Sequence, residues 1–592
     1  MPKNSSSANL ILLLFTLTFF NISNAQPVDS NWLTHFEKSN YLETPNYDQT
    51  IEFFQQLSDS SEKANLITFG KSPQGRDIKC LIAAEEKEFT TLANVKKSGK
   101  PIVLIMNGIH SGEIEGKDAC MLLLRDILIT KEKESLLENA VLMVIPVFSV
   151  DGHERISPYN RINQNGPAEM GWRTTAKNLN LNRDFMKADA EEMRAFLRLF
   201  STVLPDFFID VHASNGADYQ YTITYQIERH GFTHPIFEKW ANEKFIPFVE
   251  KQVEDDGFLI SPFVGFIDGD VRNGIYDWIA SPRFSNGYAS LQNTLGLLIE
   301  THMLKPYKER VFSTLSLLTA VLELVNSDNE NILEMNAKAE QDRMKRYGSE
   351  RELYPYKFKR TNDYDTFIYK GLKPIEKFSE ITGGKINTYT DIPVEYEVPY
   401  YNKDSVTNYI DPPLGYIVPA EWKSIIEICD AHGINYIELN DDKLYTVEKI
   451  KFRDVEFASF PYEGRFIPSY NYDKTIEEFT ASKGSFYIPV KQRTVGVILN
   501  LFEPDASDSF VKWGFFNTIF EQKEYFENYS MEPIAKKMLA EQPELKKEFE
   551  EKLKSDEDFR NDPYSRLNFF YENSPYYDQQ LNVYPILRVL SD

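Results

Sequence analysis

Between residues 48 and 325, short continuous apolar runs alternate with stretches whose apolar residues recur at helical spacing. "IKCLIAAE", "PIVLIMNG", "AVLMVIPVFSV", "PDFFIDVHA" and "TLGLLIETH" read as strands buried on both faces. "TIEFFQQL", "EGKDACMLLLRDIL", "EEMRAFLRLFSTV" and "ERVFSTLSLLTAVLELVNS" read as helices. The alternation predicts an α/β domain with a mixed, mostly parallel central sheet and helices on both faces. It breaks at "NSDNEN" (Asn326–Asn331), where a charged helix, "ILEMNAKAEQDRMKRYG", reads as a connector over 326–350. From residue 351 the chain turns to tyrosine, proline and β-type runs such as "LYPYKFKR", "PVEYEVPYY", "KLYTVEKIKF" and "GSFYIPV". From "DSFVKWGFFNTIFEQKEYF" onward it reads as largely helical. Residues 351–592 are therefore expected to form an α+β accessory region.

The N-terminus reads as a secretory signal over residues 1–25, followed by a lead-in over 26–47. Lys3 precedes an apolar run, Ala8–Phe20, and Ser23–Ala25 has the small residues of a cleavage site. This predicts export, to the periplasm or the medium. The run is short for a membrane span, which takes ~20 residues, and no cysteine follows it, so no stable membrane anchor is expected.

Composition narrows the function. The 592 residues are 42% hydrophobic and 26% charged, with a formal charge of −24. That balance describes a soluble chain and disfavours a nucleic-acid partner, which calls for basic patches. Cys80, Cys120 and Cys429 form no CxxC pair and sit as small hydrophobes rather than ligands.

The candidate chemistry begins in "NGIHSGEIEG" (Asn107–Gly116), directly after the strand "PIVLIM". His110 and Glu113 are spaced so that one helical turn brings both side chains to one face. With 8 histidines and 89 acidic residues in the chain, about one such pair is expected by chance, so position matters more than spacing. The end of a strand is where open α/β sheets build sites, and Gly108, Gly112 and Gly116 allow a tight turn. A catalytic zinc takes three protein ligands and an open position. A third ligand then comes from another strand, and His212, near the end of "FFIDVHAS", is the candidate. Glu300 in "LLIETH" is a candidate base, because a carboxylate among Leu297, Leu298 and Ile299 is costly to bury without a partner or a task. Plainer readings stand beside these: His212 as a capping residue, Glu300 as a surface ion-pair partner.

Between them lies "GWRTTAKNLNLNRDF" (Gly171–Phe185), with Arg173 and the Asn182–Arg183 pair, and upstream lies "GKSPQGRDIKCL". This ordered set resembles the M14 zinc carboxypeptidases, in the form of a secreted bacterial-type member with an extra C-terminal region. The resemblance covers residues 48–325. It implies a zinc carboxypeptidase-like fold and one Zn²⁺ per catalytic domain, held by His110, Glu113 and His212. It implies Glu300 as general base and Arg173 facing the scissile carbonyl. It also implies Asn182 and Arg183 on the terminal carboxylate of a peptide, with a tyrosine capping the substrate. Of Tyr276 and Tyr288, Tyr276 is favoured. The implied activity is hydrolysis of C-terminal peptide bonds in exported or environmental peptides through a metal-activated water. A related zinc amidohydrolase or cell-wall peptide peptidase would share the triad and base. A non-catalytic binding protein on the same scaffold is disfavoured, since each core position is filled.

Two positions depart from the family pattern. Gly112 stands where the pancreatic enzymes have arginine, and Asn180 stands where an aspartate often accepts from the first zinc histidine. Asp210, two before His212, could supply charge or be structural. Arg283, in "SPRFSNGYASLQN", could favour an acidic terminal residue or make a surface ion pair. Glu115 is expected to turn away from the site.

Overall fold

Strand β3 (Ile102–Asn107) is buried along its whole length, as its unbroken apolar run requires of a strand covered on both faces. In this computed structural model, which describes residues 29–591, β3 lies inside an eight-stranded sheet. The proposed signal segment lies outside the described residues. The other strands of that sheet are β1 (Ala64–Lys71), β2 (Asp77–Ala83), β4 (Val141–Ile145), β5 (Phe207–Ser214), β6 (Ile223–Ile227), β7 (Ile260–Pro262) and β10 (Leu295–His302), in the order β1-β2-β4-β3-β5-β10-β6-β7. The run β4-β3-β5-β10 is parallel; β1, β2 and β6 join antiparallel to their inner neighbours. The fold is thus the mixed, mostly parallel α/β arrangement expected from the apolar pattern.

Helix Glu115–Leu128 starts just after β3, with Glu115 and Asp118 in its first turn where they complement the helix dipole. It packs between the sheet and helix Tyr307–Ser327 and is buried at every position except Asp126. Glu115 does turn away from the site, into an ion pair with Arg310 at 3.1 Å.

Beyond residue 351 three β systems follow. Tyr354–Arg360 pairs with Asp404–Ile410. The long hairpin Asp365–Ser379/Gly384–Tyr401 adds to β8 (Val264–Phe266) and β9 (Ile275–Asp277), Tyr401 lying in register with Tyr276. A six-stranded sheet runs Ile437–Glu438, Phe486–Pro489, Gly415–Val418, Leu587–Ser591, Lys443–Phe457, Pro468–Ala481. The stretch from Asp508 to Phe526 is not the helix that was expected. It is a series of turns with one short 3₁₀ turn, Asn517–Phe520, and Gly514 sits at φ +70°. Its apolar residues Phe510, Val511, Trp513 and Phe516 are all buried, which a helix with one apolar face would not allow. Helices do follow, at Asn528–Glu541, Pro543–Ser555 and Pro563–Glu572, around a core of their own.

Residues 34–591 form one compact unit; residues 30–32 make a short turn capped by Asp29. Phe196, Phe200, Phe208 and Tyr288 share a continuous apolar core with Ile425, Ile428, Cys429, Ile488 and Val497. Buried Tyr288 also reaches His432 Nδ1 at 2.9 Å, and His432 Nε2 reaches the Met186 carbonyl at 3.1 Å. Among the described residues no single helix is long and apolar enough to cross a membrane.

Because the core crosses residue 350, a chain ending there would expose the apolar face that the later segments cover. Such a chain is expected to aggregate or to lose the cooperative thermal transition of the full protein. A soluble truncated chain with an unchanged Tm would contradict the shared core.

Candidate metal centre

Three neighbouring parallel strands end at one place. β3 runs into the loop carrying His110 and Glu113, β5 carries His212, and β10 carries Glu300 in register with His212. Gly108 takes φ +66°, a conformation glycine adopts without penalty, and turns the chain out of β3. The Glu113 N–H then closes onto the His110 carbonyl at 2.9 Å, which sets the two side chains on the same side.

The geometry converges on Glu113. Its Oε2 lies 3.3 Å from His110 Nδ1 and 3.0 Å from His212 Nδ1, and it accepts from the Ala213 N–H at 3.1 Å. The opposite ring nitrogens are already engaged. His110 Nε2 meets Asn180 Oδ1 at 3.0 Å, and His212 Nε2 meets Asp210 Oδ2 at 2.7 Å. Asn180 thus reaches the imidazole expected of it, and Asp210 supplies the charged acceptor, on the other histidine. Each ring is oriented with Nδ1 inward, and the three inward donors lie within 4.8 Å of one another. Two imidazole nitrogens and one carboxylate oxygen are a donor set suited to zinc.

Burial lowers the His110 pKa to about 4, against the pull of Glu113. Burial would raise Glu113, but His110 and Arg161 outweigh it and hold the carboxyl well below the usual range. Burial would lower His212, but the Asp210 carboxylate lifts it well above its ordinary value. Glu300 is held up at about 8, first by burial, with Glu113 and Asp210 adding and His212 and Arg173 opposing. Its Oε2 is buried and has no protein donor.

A cavity of about 380 Å³ opens beside these groups. Arg173, Asn182, Arg183, Trp278, Phe284, Asn286, Leu298 and Glu300 line it together with the triad. Arg173 Nη1 lies 3.1 Å from Glu113 Oε1. The Arg183 guanidinium stacks 4.3 Å over Phe284, and its Nη1 donates to the Asn182 carbonyl at 2.6 Å. The C-terminal region buttresses this loop: Glu463 accepts from the Asn180 N–H at 3.0 Å, and Arg465 pairs with Asp189.

The structure does not bring Tyr276 to the cavity. Its strand is pinned by the hairpin strand Gly384–Tyr401, its ring covers Gly265, and Arg360 stacks on it at 4.2 Å. Tyr288 points into the core. Phe263, Trp278 and Phe284 are the aromatic residues at the wall, the last two edge to face at 4.6 Å. Arg283 also stands apart, paired with Asp508 at 2.7 Å and stacked on Trp513, an ion pair as one reading had it but with a buried partner rather than at the surface.

Sequence reasoning missed Arg161. Its Nη2 donates to Glu113 Oε1 at 2.7 Å, and its side chain is 8% exposed. A Cβ on Gly112 would fall 2.8 Å from Arg161 Cδ and 3.0 Å from the Gly171 carbonyl. The missing side chain at 112 is therefore the space through which another arginine reaches the site from a loop 48 residues beyond Glu113. Gly112 itself was the only trace of this in the sequence.

Residues 50–224 match the family model described as zinc carboxypeptidase, a span that contains His110, Glu113, Arg173, Asn182, Arg183 and His212. Over that span the chain is similar to the zinc carboxypeptidases. Glu300 lies beyond the matched span. Among curated relatives of this zinc metallopeptidase, carboxypeptidase 2 of Trichophyton tonsurans is 21% identical over 499 residues, covering 79% of this chain and 84% of its own. Carboxypeptidase 2 of Trichophyton rubrum is 19% identical over 491 residues, with the same coverage. A metallo-carboxypeptidase structure from Burkholderia cenocepacia aligns with 48% of this chain and 69% of its own, at 16% identity and a TM-score of 0.35.

Arg161 holds the outer oxygen of Glu113, so Arg161→Gln is expected to weaken zinc retention by about 10–100-fold, read by competition with a chelating dye. Arg161→Lys should recover part of the loss. An affinity equal to that of the unsubstituted protein would contradict the clamp.

Proposed function

We propose that this metallocarboxypeptidase is exported and removes C-terminal residues from peptides, with His110, Glu113 and His212 as the zinc ligands. The carrying observation is the convergence of the triad, Glu300 and three substrate-facing groups, Arg173, Asn182 and Arg183, on one cavity. Zinc, when bound, supplies a Lewis acid for the scissile carbonyl and for a water molecule.

The chain's own residues do the rest. Glu300 stands half-exposed at the cavity with an unpartnered Oε2, free to take a proton from water and pass it to the leaving amine nitrogen. Burial, the first cause of its raised pKa, favours its holding the proton between the two steps. Arg173 is more exposed than Arg161 and can donate to the carbonyl oxygen as it gains charge. Arg183, braced by Phe284 and the Asn182 carbonyl, presents a planar fork to a terminal carboxylate. Asp210 and Asn180 keep both imidazoles in the ligating orientation. Export is supported by Lys3, the Ala8–Phe20 run and the Ser23–Ala25 site.

Glu300→Gln is expected to lower kcat/KM by about 10²–10⁴-fold while zinc content stays at one per chain; unchanged turnover would remove Glu300 from the mechanism. Arg183→Ala is expected to cost about 10–150-fold in kcat/KM on peptides with a free C-terminus, the worth of a charge-assisted hydrogen bond. Equal rates on free and C-amidated peptides in the unsubstituted enzyme would contradict the clamp.

A further inference from the structure

Asn286 brings a buried amide to the cavity wall, and Gln226 and Glu228 stand behind it. Asn286, at the start of helix Ser285–Leu291, is 2% exposed and lines the cavity. Its Nδ2 donates to Glu228 Oε2 at 2.9 Å, while its Oδ1 is buried with no donor. Gln226 lies opposite Leu298 across the antiparallel β6–β10 pair, so it shares the face on which Leu298 meets the cavity. Gln226 Nε2 donates to the Trp278 carbonyl at 2.6 Å and approaches Glu228 Oε2 at 3.3 Å. Gln226 Oε1, like Asn286 Oδ1, is buried without a donor. Glu228 is buried behind both amides, and its other oxygen accepts from the His230 N–H at 3.3 Å.

We propose that this cavity selects a C-terminal residue with a long side chain ending in N–H donors, lysine or arginine, and that Asn286 backed by Glu228 sets the preference. The proposal rests on the carboxypeptidase reading and names its substrate class. A buried acceptor left without a donor is destabilising, and a donor-ended guest offsets that cost where leucine or phenylalanine cannot. An acidic guest would bring like charge toward Glu228. The walls suit the same class, since Phe263, Trp278 and Leu298 give apolar surface along which the aliphatic stem of a long side chain can lie. Burial holds the Glu228 carboxyl up at about 7, and a cationic guest favours its ionised form.

The test uses zinc-loaded enzyme and one peptide sequence ending in Lys, Arg, Gln, Leu, Phe or Glu, competed in one pot and read by mass spectrometry. Lys and Arg are expected to exceed Leu in kcat/KM by about 10–100-fold. Asn286→Leu should collapse that ratio, and the isosteric Asn286→Asp should raise it, which guards against a misfolded variant. A preference for Leu or Phe, or a ratio unmoved by both substitutions, overturns the proposal. A binding arm separates it from the catalytic reading: the Glu300→Gln protein, titrated calorimetrically, should bind the Lys-ended peptide more tightly than the Leu-ended one. Equal affinities sink the pocket assignment, whereas the expected order of affinities with no cleavage of any peptide by the unsubstituted enzyme supports the pocket and sinks the carboxypeptidase reading.

Discussion

A single buried carboxylate organises this protein. Glu113 is 3% exposed, and an ionised group at that depth is held only if its charge is met from all sides. It is met by two imidazoles and a backbone N–H on one oxygen and by two guanidiniums on the other. Those partners come from the loop after β3, from β5, and from the segment carrying Arg161 and Arg173. Keeping Glu113 ionised therefore fixes how these pieces meet. Glu300, one strand further along, is raised first by burial, with the Glu113 charge adding. A structural constraint and a catalytic arrangement coincide because the donors that stabilise a buried anion are also those that orient a cation's ligands.

Much of this could be read from the chain alone, for physical reasons. Strands buried on both faces must be continuously apolar, so β3, β5 and β10 stood out, and residues at their ends were placed by topology. His110, Glu113, Arg173, Asn182, Arg183, His212 and Glu300 all came to one cavity. Asn180 was recognised as an acceptor for a ring nitrogen because an amide oxygen can take that role without charge. Arg161 was invisible for the opposite reason: its contribution depends on a space left by another residue, and no local pattern marks a guanidinium that arrives through a gap. Tyr276 misled because distance along the chain to Glu300 says nothing about a strand that later pairs with residues 400–401.

The C-terminal region was the least legible part. Its aromatic richness suggested core, and part of it is core: some shared with the α/β layer, some enclosed separately by the helices after residue 528. Apolar residues of Asp508–Phe526 that look like a helix by density are spent on turns buried from several directions, so periodicity had nothing to report. The strand Leu587–Ser591, inserted between Gly415–Val418 and Lys443–Phe457, gains its place from neighbours more than 130 residues away. Through Glu463 and Arg465 this region also holds the loop that presents Asn180, Asn182 and Arg183. It thereby steadies the site without lining it.

The most direct test of the central claim follows the protein acting on an unmodified peptide, by mass spectrometry, before chelation, after chelation and after zinc is restored. The account predicts stepwise loss of single residues from the C-terminus that stops on chelation and returns with zinc. Cleavage confined to internal bonds, or trimming that persists at full rate without metal, would contradict it.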